Sequence, residues 1–206
     1  MNVMTQNGYN LFEVISALQK EIRRGEEENA LYWALELVPL FEDYLWQRLV
    51  VITNEDIGIA NPTALYVVPS QRAIYFEFRT AKKDGSARLD LANAILLLCR
   101  SPKSRIADHF QCAVNQDRLH GKRLEIPDYA LDKHTQHGRK MGRGVEHWLD
   151  EGCVLNPTPD IHDPYRERAA SWWMHDDFTQ TDYTRSKKRF GREQAAPGGQ
   201  IEMELE

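Results

Sequence analysis

The chain has 206 residues, 42% of them hydrophobic and 28% charged, which suits one substantial core or two small ones in an ordinary soluble protein. Its net charge of -5 excludes a surface uniformly coated with cations for nucleic acid, so any such contact has to be local. Cys99, Cys112 and Cys153 are too few and too scattered for a disulfide framework or a paired-cysteine zinc site. No run is apolar enough to span a bilayer and nothing near Met1 reads as a signal peptide, so a reducing, cytoplasmic setting without membrane contact is expected.

The first predicted helix opens at Asn10, a capping residue with Glu13 three positions later. It continues through Leu11, Val14, Ile15, Leu18 and Ile22 on one stripe and closes at Arg23, Arg24 and Gly25. A second is predicted from Glu26 to Phe41. Glu26, Glu27 and Glu28 suit the positive end of its dipole, and Leu31, Leu35 and Val38 carry its apolar stripe; Pro39 ends or kinks it. Tyr32 and Trp33, at helical spacing, are read as core residues rather than as a platform for stacking bases.

The stretch Arg48–Pro62, RLVVITNEDIGIANP, reads as a corner between helices. Leu49, Val50 and Ile52 are core residues, Asn54 to Gly58 end one helix, and Asn61-Pro62 starts the next. Glu55 and Asp56 are expected to face different ways and to cap helices rather than act as an acid–base pair. This turn resembles the "SEDIG-ADP" signature in the C-terminal half of the RarA/MgsA ATPases, relatives of clamp loaders that include the Werner-helicase-interacting ATPase. Ala30-Leu31-Tyr32-Trp33 is similar to that family's ALYW, and Ser101-Pro102-Lys103-Ser104 to its APKS, in the same order along the chain. The resemblance runs from about Leu11 to about Gly152. It implies an all-α fold, a single helical domain like the C-terminal collar of clamp loaders, which in that family holds subunits together as a tetramer.

Beyond the turn, Ala64, Val67, Val68, Ile74, Tyr75 and Phe78 fit a helical stripe, yet Ile74, Phe76 and Phe78 also alternate as in a strand. Pro69 deep inside a helix costs about 3 kcal/mol, so an irregular or extended piece is expected near residues 68–79, although the resemblance implies a continuous helix. Lys82 to Ser86 reads as a polar loop, Leu89 to Cys99 as the central buried helix, and Ser104 to Val114 as another helix capped by Ser101 or Ser104.

From Arg118 the balance of charge turns basic, whereas Glu26 to Asp56 is acidic. Residues 127–144, PDYALDKHTQHGRKMGRG, resemble the family segment in which a short helix leads to a glycine-rich turn. Lys133, His137, Arg139, Lys140 and Arg143 are the candidates to meet DNA phosphates there, the alternative being a solvated basic face beside a turn. His134 and His137, three apart, raise a metal site, with His147, His162 and His175 beyond; without HExxH or CxxC spacing no metal is expected. After the proline-rich run at 156–159, a last helix through Ala169, Trp172 and Trp173 is expected to dock on the core.

The helical domain is therefore assigned to residues 1–178 and a flexible basic tail to 179–206, with Arg185, Lys187, Lys188 and Arg189 as further DNA candidates. Gln200, Ile201, Met203 and Leu205 look like the short peptides that bacterial replication proteins insert into the sliding clamp; the alternative is an ordinary acidic terminus. No GxxxxGK[ST] occurs in the chain, and neither an enzyme nor a bound cofactor is expected. The leading expectation is a self-associating, DNA-binding scaffold in replication, repair or recombination. The alternatives are an accessory subunit of a separately encoded AAA+ ATPase, and a metal-dependent hydrolase or nuclease using His134 and His137.

Overall fold

In the computed structural model, which describes residues 3–158 and 160–175, the helical architecture begins where Asn10 turns its side chain onto the backbone N–H groups of Phe12 and Glu13. Helix α1 (Leu11–Arg24) follows, and Gly25 in the left-handed region closes it by donating to the carbonyls of Glu21 and Ile22. Val14, Leu18 and Ile22 repeat every four residues and are buried. Helix α2 (Glu27–Glu36) carries acids in its first turn and buries Ala30 and Ala34, small residues that allow a close approach to its neighbours.

The second predicted helix, expected to reach Phe41, stops at Glu36. The chain leaves helical geometry after Glu36, passes Pro39, and resumes as α3 (Glu42–Ile52) with Leu45, Trp46, Leu49 and Ile52 inside. A wide five-residue turn, Thr53–Ile57, and a short 3-10 turn, Gly58–Ala60, make the corner. Gly58 has φ +48°, a conformation that a side chain would strain.

Helix α4 (Pro62–Thr80) runs unbroken through Pro69, which corrects the expected irregular piece near 68–79. Pro69 lies on the exposed face, while Ala64, Val68 and Tyr75 hold the opposite face in the core. Burial of that face at roughly 1.5–3 kcal/mol per large side chain offsets the missing hydrogen bond. The alternation of Ile74, Phe76 and Phe78 thus reflects no strand; Ile74 is exposed and the two phenylalanines are half-buried.

Helix α5 (Asp84–Arg100) starts inside the expected loop and packs on α1, α2 and α4 through Ala87, Leu91, Ala94, Ile95 and Leu98. It is the central helix that its apolar composition predicts. Helix α6 (Ile106–Leu119) follows, and none of its residues is buried.

By its internal contacts the chain divides into two compact units, Met1–Arg123 and Leu124–Glu206. In the second, a 3-10 turn at Asp128–Ala130 precedes the short helices α7 (Gln136–Lys140) and α8 (Val145–His147), a wide turn at Trp148–Gly152, and α9 (Arg166–Trp173). Trp173 meets Trp148 edge-on at 5.1 Å within this unit, whereas Trp172 is exposed. Among the described residues every regular element is helical, and the one extended pairing is an isolated bridge between Met4 and Asn10. No described helix is long and apolar enough to cross a membrane.

Candidate nucleic-acid and assembly surfaces

Glu55 and Asp56 do not diverge, as expected from their adjacency, but converge. The Gln19 amide of α1 donates to both carboxylates, at 3.0 and 2.9 Å. Arg23 bridges the same pair, with Nη2 at 3.1 Å from Glu55 and Nε at 2.8 Å from Asp56. Arg48 of α3 extends the network by donating to the Gln19 carbonyl oxygen at 2.7 Å. Asp56 is 1% exposed, so its charge is held by these donors rather than by water.

The same turn receives α6. The Ser104 N–H donates to the Asp56 carbonyl at 2.8 Å, and Arg105 reaches Glu55 at 2.9 Å and Asp108 at 2.7 Å. Ser101 accepts from the Asn61 amide at 2.8 Å, and Lys103 closes α5 by donating to the carbonyls of Leu98, Cys99 and Ser101 at 2.7–2.9 Å. Burial lowers the Lys103 pKa below the ordinary lysine value. The sequence runs at 54–62 and 101–104 are therefore two sides of one joint. Sequence spacing gave no sign of Gln19 or Arg48 as members, because they arrive from two different helices, α1 and α3.

What leaves this joint is an apolar face that is exposed among the described residues. Ile106, Phe110 and Val114 recur every four residues on α6, so they share one stripe, and they are 55%, 68% and 52% exposed.

In the second unit the basic segment is knotted onto itself. Thr135 caps α7 by accepting from the Gly138 N–H at 2.9 Å, and a Cβ on Gly138 would collide with the carbonyl oxygens of Leu131 and Asp132. Arg143 is forked onto both Asp128 carboxylate oxygens, at 2.7 and 2.6 Å, and donates to the carbonyls of Asp128 and Leu131. Those hydrogen bonds hold the Asp128 carboxyl below the usual carboxylate range. Arg139 donates through one nitrogen to the carbonyls of Lys133 and His134, and the Lys133 ammonium sits 4.4 Å from the centre of the Trp148 ring.

Of the five candidates named from the sequence, Lys133, Arg139 and Arg143 thus hold the loop together, and only His137 and Lys140 are exposed without a side-chain hydrogen bond among the described residues. His134 faces Asp132 at 2.8 Å and Trp148 edge-on at 5.7 Å; its hydrogen bond lowers the Asp132 pKa. Among the described residues no three His, Cys, Asp or Glu side chains gather as a metal site. Arg185, Lys187, Lys188 and Arg189, and the clamp-type peptide with Gln200, Ile201, Met203 and Leu205, lie outside the described residues.

Among the described residues the protein is an all-helical module with a buried central helix and a charged joint at the EDIG turn, and no GxxxxGK[ST] occurs in its sequence. Residues 25–153, more than half of the chain, match the family described as MgsA AAA+ ATPase C terminal, and the protein belongs to that family. Replication-associated recombination protein A of Bacillus subtilis (strain 168) is 33% identical over 150 residues, 69% of this chain and 34% of its own. The protein of the same name in Escherichia coli (strain K12) is 28% identical over 148 residues, 68% of this chain and 31% of its own. ATPase WRNIP1 of Dictyostelium discoideum is 24% identical over 155 residues, 70% of this chain and 16% of its own. The chain spans about a third of the length of these bacterial relatives. The matched region is their family's C-terminal domain, and two of the relatives are named for replication-associated recombination.

Proposed function

We propose that this chain is a non-catalytic module of replication-associated recombination that self-associates and offers a local basic surface to DNA. The observation that carries the reading is the α6 stripe. Three large apolar side chains in register, on a helix that buries nothing of its own, are what an isologous or ring-forming interface needs. The DNA part rests on the relatives' names and on Arg139 and Lys140, which leave charge on the surface of an otherwise acidic chain.

Light scattering of the full chain tests the reading. A closed oligomer is expected, and Phe110→Glu should reduce it to monomers of unchanged helicity, since the ring is already exposed. A wild-type chain that stays monomeric at tens of micromolar would overturn self-association. A monomer that instead co-purifies with an AAA+ ATPase would move the stripe to the second reading, an accessory subunit.

A further inference from the structure

The first unit exposes an aromatic row that neither assembly through α6 nor contact with DNA explains. Tyr9 meets Trp33 edge-on with ring centres 5.5 Å apart, and Trp33 meets Tyr32 in the same way at 5.0 Å. Tyr9 and Tyr32 are 41% and 51% exposed. Tyr32 was expected in the core, and the helical spacing that placed it there does not separate a core stripe from a surface one.

The row is held in place by specific bonds. Tyr9 belongs to the segment before α1, and that segment is fastened to α2 by the buried carboxylate of Glu36. The Thr5 hydroxyl donates to it at 2.6 Å, and the Asn7 side-chain amide and backbone N–H donate at 2.7 and 3.2 Å. Thr5 in turn donates its N–H to the Tyr9 carbonyl at 2.8 Å, and its hydroxyl oxygen accepts from the Tyr9 N–H at 3.1 Å. Tyr32, Trp33 and Glu36 stand within one turn of α2, so the turn that anchors the segment is also the one that Tyr9 faces.

Exposed rings take either stacked bases or cations over their faces. Charge decides between them. Residues 1–19 and 26–47 contain no lysine or arginine, whereas Glu26, Glu27, Glu28, Glu36, Glu42 and Asp43 all fall in the second stretch. Glu28 is exposed one helical turn before Tyr32. The cation that α5 brings to α2, Arg100, is taken up by Glu27 at 2.7 and 3.1 Å. A nucleic acid would bring its phosphates against these carboxylates, while a cationic peptide would match both the rings and their surroundings.

We propose that the Tyr9–Trp33–Tyr32 surface is a docking site for an arginine- or lysine-bearing peptide segment of a protein partner, its cation packed on the exposed tyrosine rings and paired with Glu28. The residues of this site all belong to the first unit and are not those of the α6 stripe.

The test titrates the full chain with a fluorescein-labelled arginine–glycine repeat peptide, a glutamate–glycine repeat peptide and a single-stranded oligonucleotide, read by anisotropy. The arginine peptide should bind, Tyr32→Ala should weaken it about fivefold or more, and Tyr32→Phe should retain it. Glu28→Lys should weaken it and reduce its dependence on salt. Both positions are exposed, so circular dichroism should be unchanged and melting should fall only slightly, by the lost first-turn charge of α2 or the lost contact with Trp33. Absence of binding by the arginine peptide, equal binding of the oligonucleotide through the same residues, or full affinity in Tyr32→Ala each overturns the proposal.

Discussion

Glu36 shows how one carboxylate positions a whole segment. Its pKa is lowered first by the hydrogen bond from Thr5 and further by those from Asn7, against the opposing effect of burial. A folded-state value below the unfolded one means that the contribution to stability is complete above the ordinary carboxylate range. It is then lost as the pH falls through the lowered value. Acidification through that lowered value should therefore release residues 5–9 from α2 before the helices melt. The local probe is the indole N–H resonance of Trp33. It should shift on acidification in the native chain, and in Glu36→Gln it should already hold the acid-form position at neutral pH. A pH profile unaltered by Glu36→Gln would remove the carboxylate from this role.

A second residue-scale contrast lies in the glycines of the second unit. Gly138→Ala places a methyl group against two backbone carbonyls, that of Leu131 held by Arg143 and that of Asp132 held by Thr135, and should cost about 1–3 kcal/mol. Gly144→Ala has nothing within 4 Å and should change stability much less. Hydrogen exchange across residues 128–148 reads the difference; equal protection in the two variants would mean that the close approach at Gly138 is not needed.

At the scale of elements, α6 hangs from a charged joint whose parts carry different weight. Arg105 is largely on the surface, and exposed ion pairs contribute about 0–1 kcal/mol, so Arg105→Ala should leave the melting temperature nearly unchanged while speeding amide exchange in α6. Asp56→Ala removes a buried acceptor from Arg23 and Gln19 and should destabilise the unit by about 1–3 kcal/mol. If the two variants behave alike, the joint is not graded by burial. Pro69→Ala restores a backbone donor on the exposed side of α4 and should stabilise by about 1 kcal/mol or more, observable as a raised midpoint in urea.

These elements also show what could be read in advance. Asn10, Gly25 and the run from Leu89 to Cys99 are local signals, and each produced the helix end or buried helix that its chemistry implies. The unbroken α4 was not legible from its own residues, because what compensates Pro69 is packing against another helix. The same holds for the Glu55–Asp56 network and the Arg143–Asp128 fork, where the partners are separated by many residues and no short-range pattern pairs them. The basic segment shows the limit most sharply: composition counts cations, but only the fold says which are already engaged.

For the molecule as a whole, that distinction sets what DNA binding would look like. Arg143 is neutralised by Asp128, Lys133 is held over Trp148, and Arg139 has one nitrogen committed to carbonyls. Within residues 127–144 the lysine and arginine charge left to meet phosphates is that of Lys140 and the remainder of Arg139, so the salt dependence carried by this segment should be shallow, with a slope near 0.9 per phosphate engaged. Lys140→Glu should weaken binding about equally for all sequences and reduce that slope by roughly one contact. Arg143→Glu should act differently: it frees Asp128 and the Leu131 carbonyl, so loss of binding should accompany loss of exchange protection over residues 128–148. Anisotropy titrations between low and moderate salt, paired with exchange on the same variants, separate the two effects. If Arg139→Glu and Lys140→Glu both retain full affinity and slope, the phosphate contacts do not lie in this segment. The argument then passes to Arg185, Lys187, Lys188 and Arg189, where four cations in five positions carry the sequence's densest positive charge.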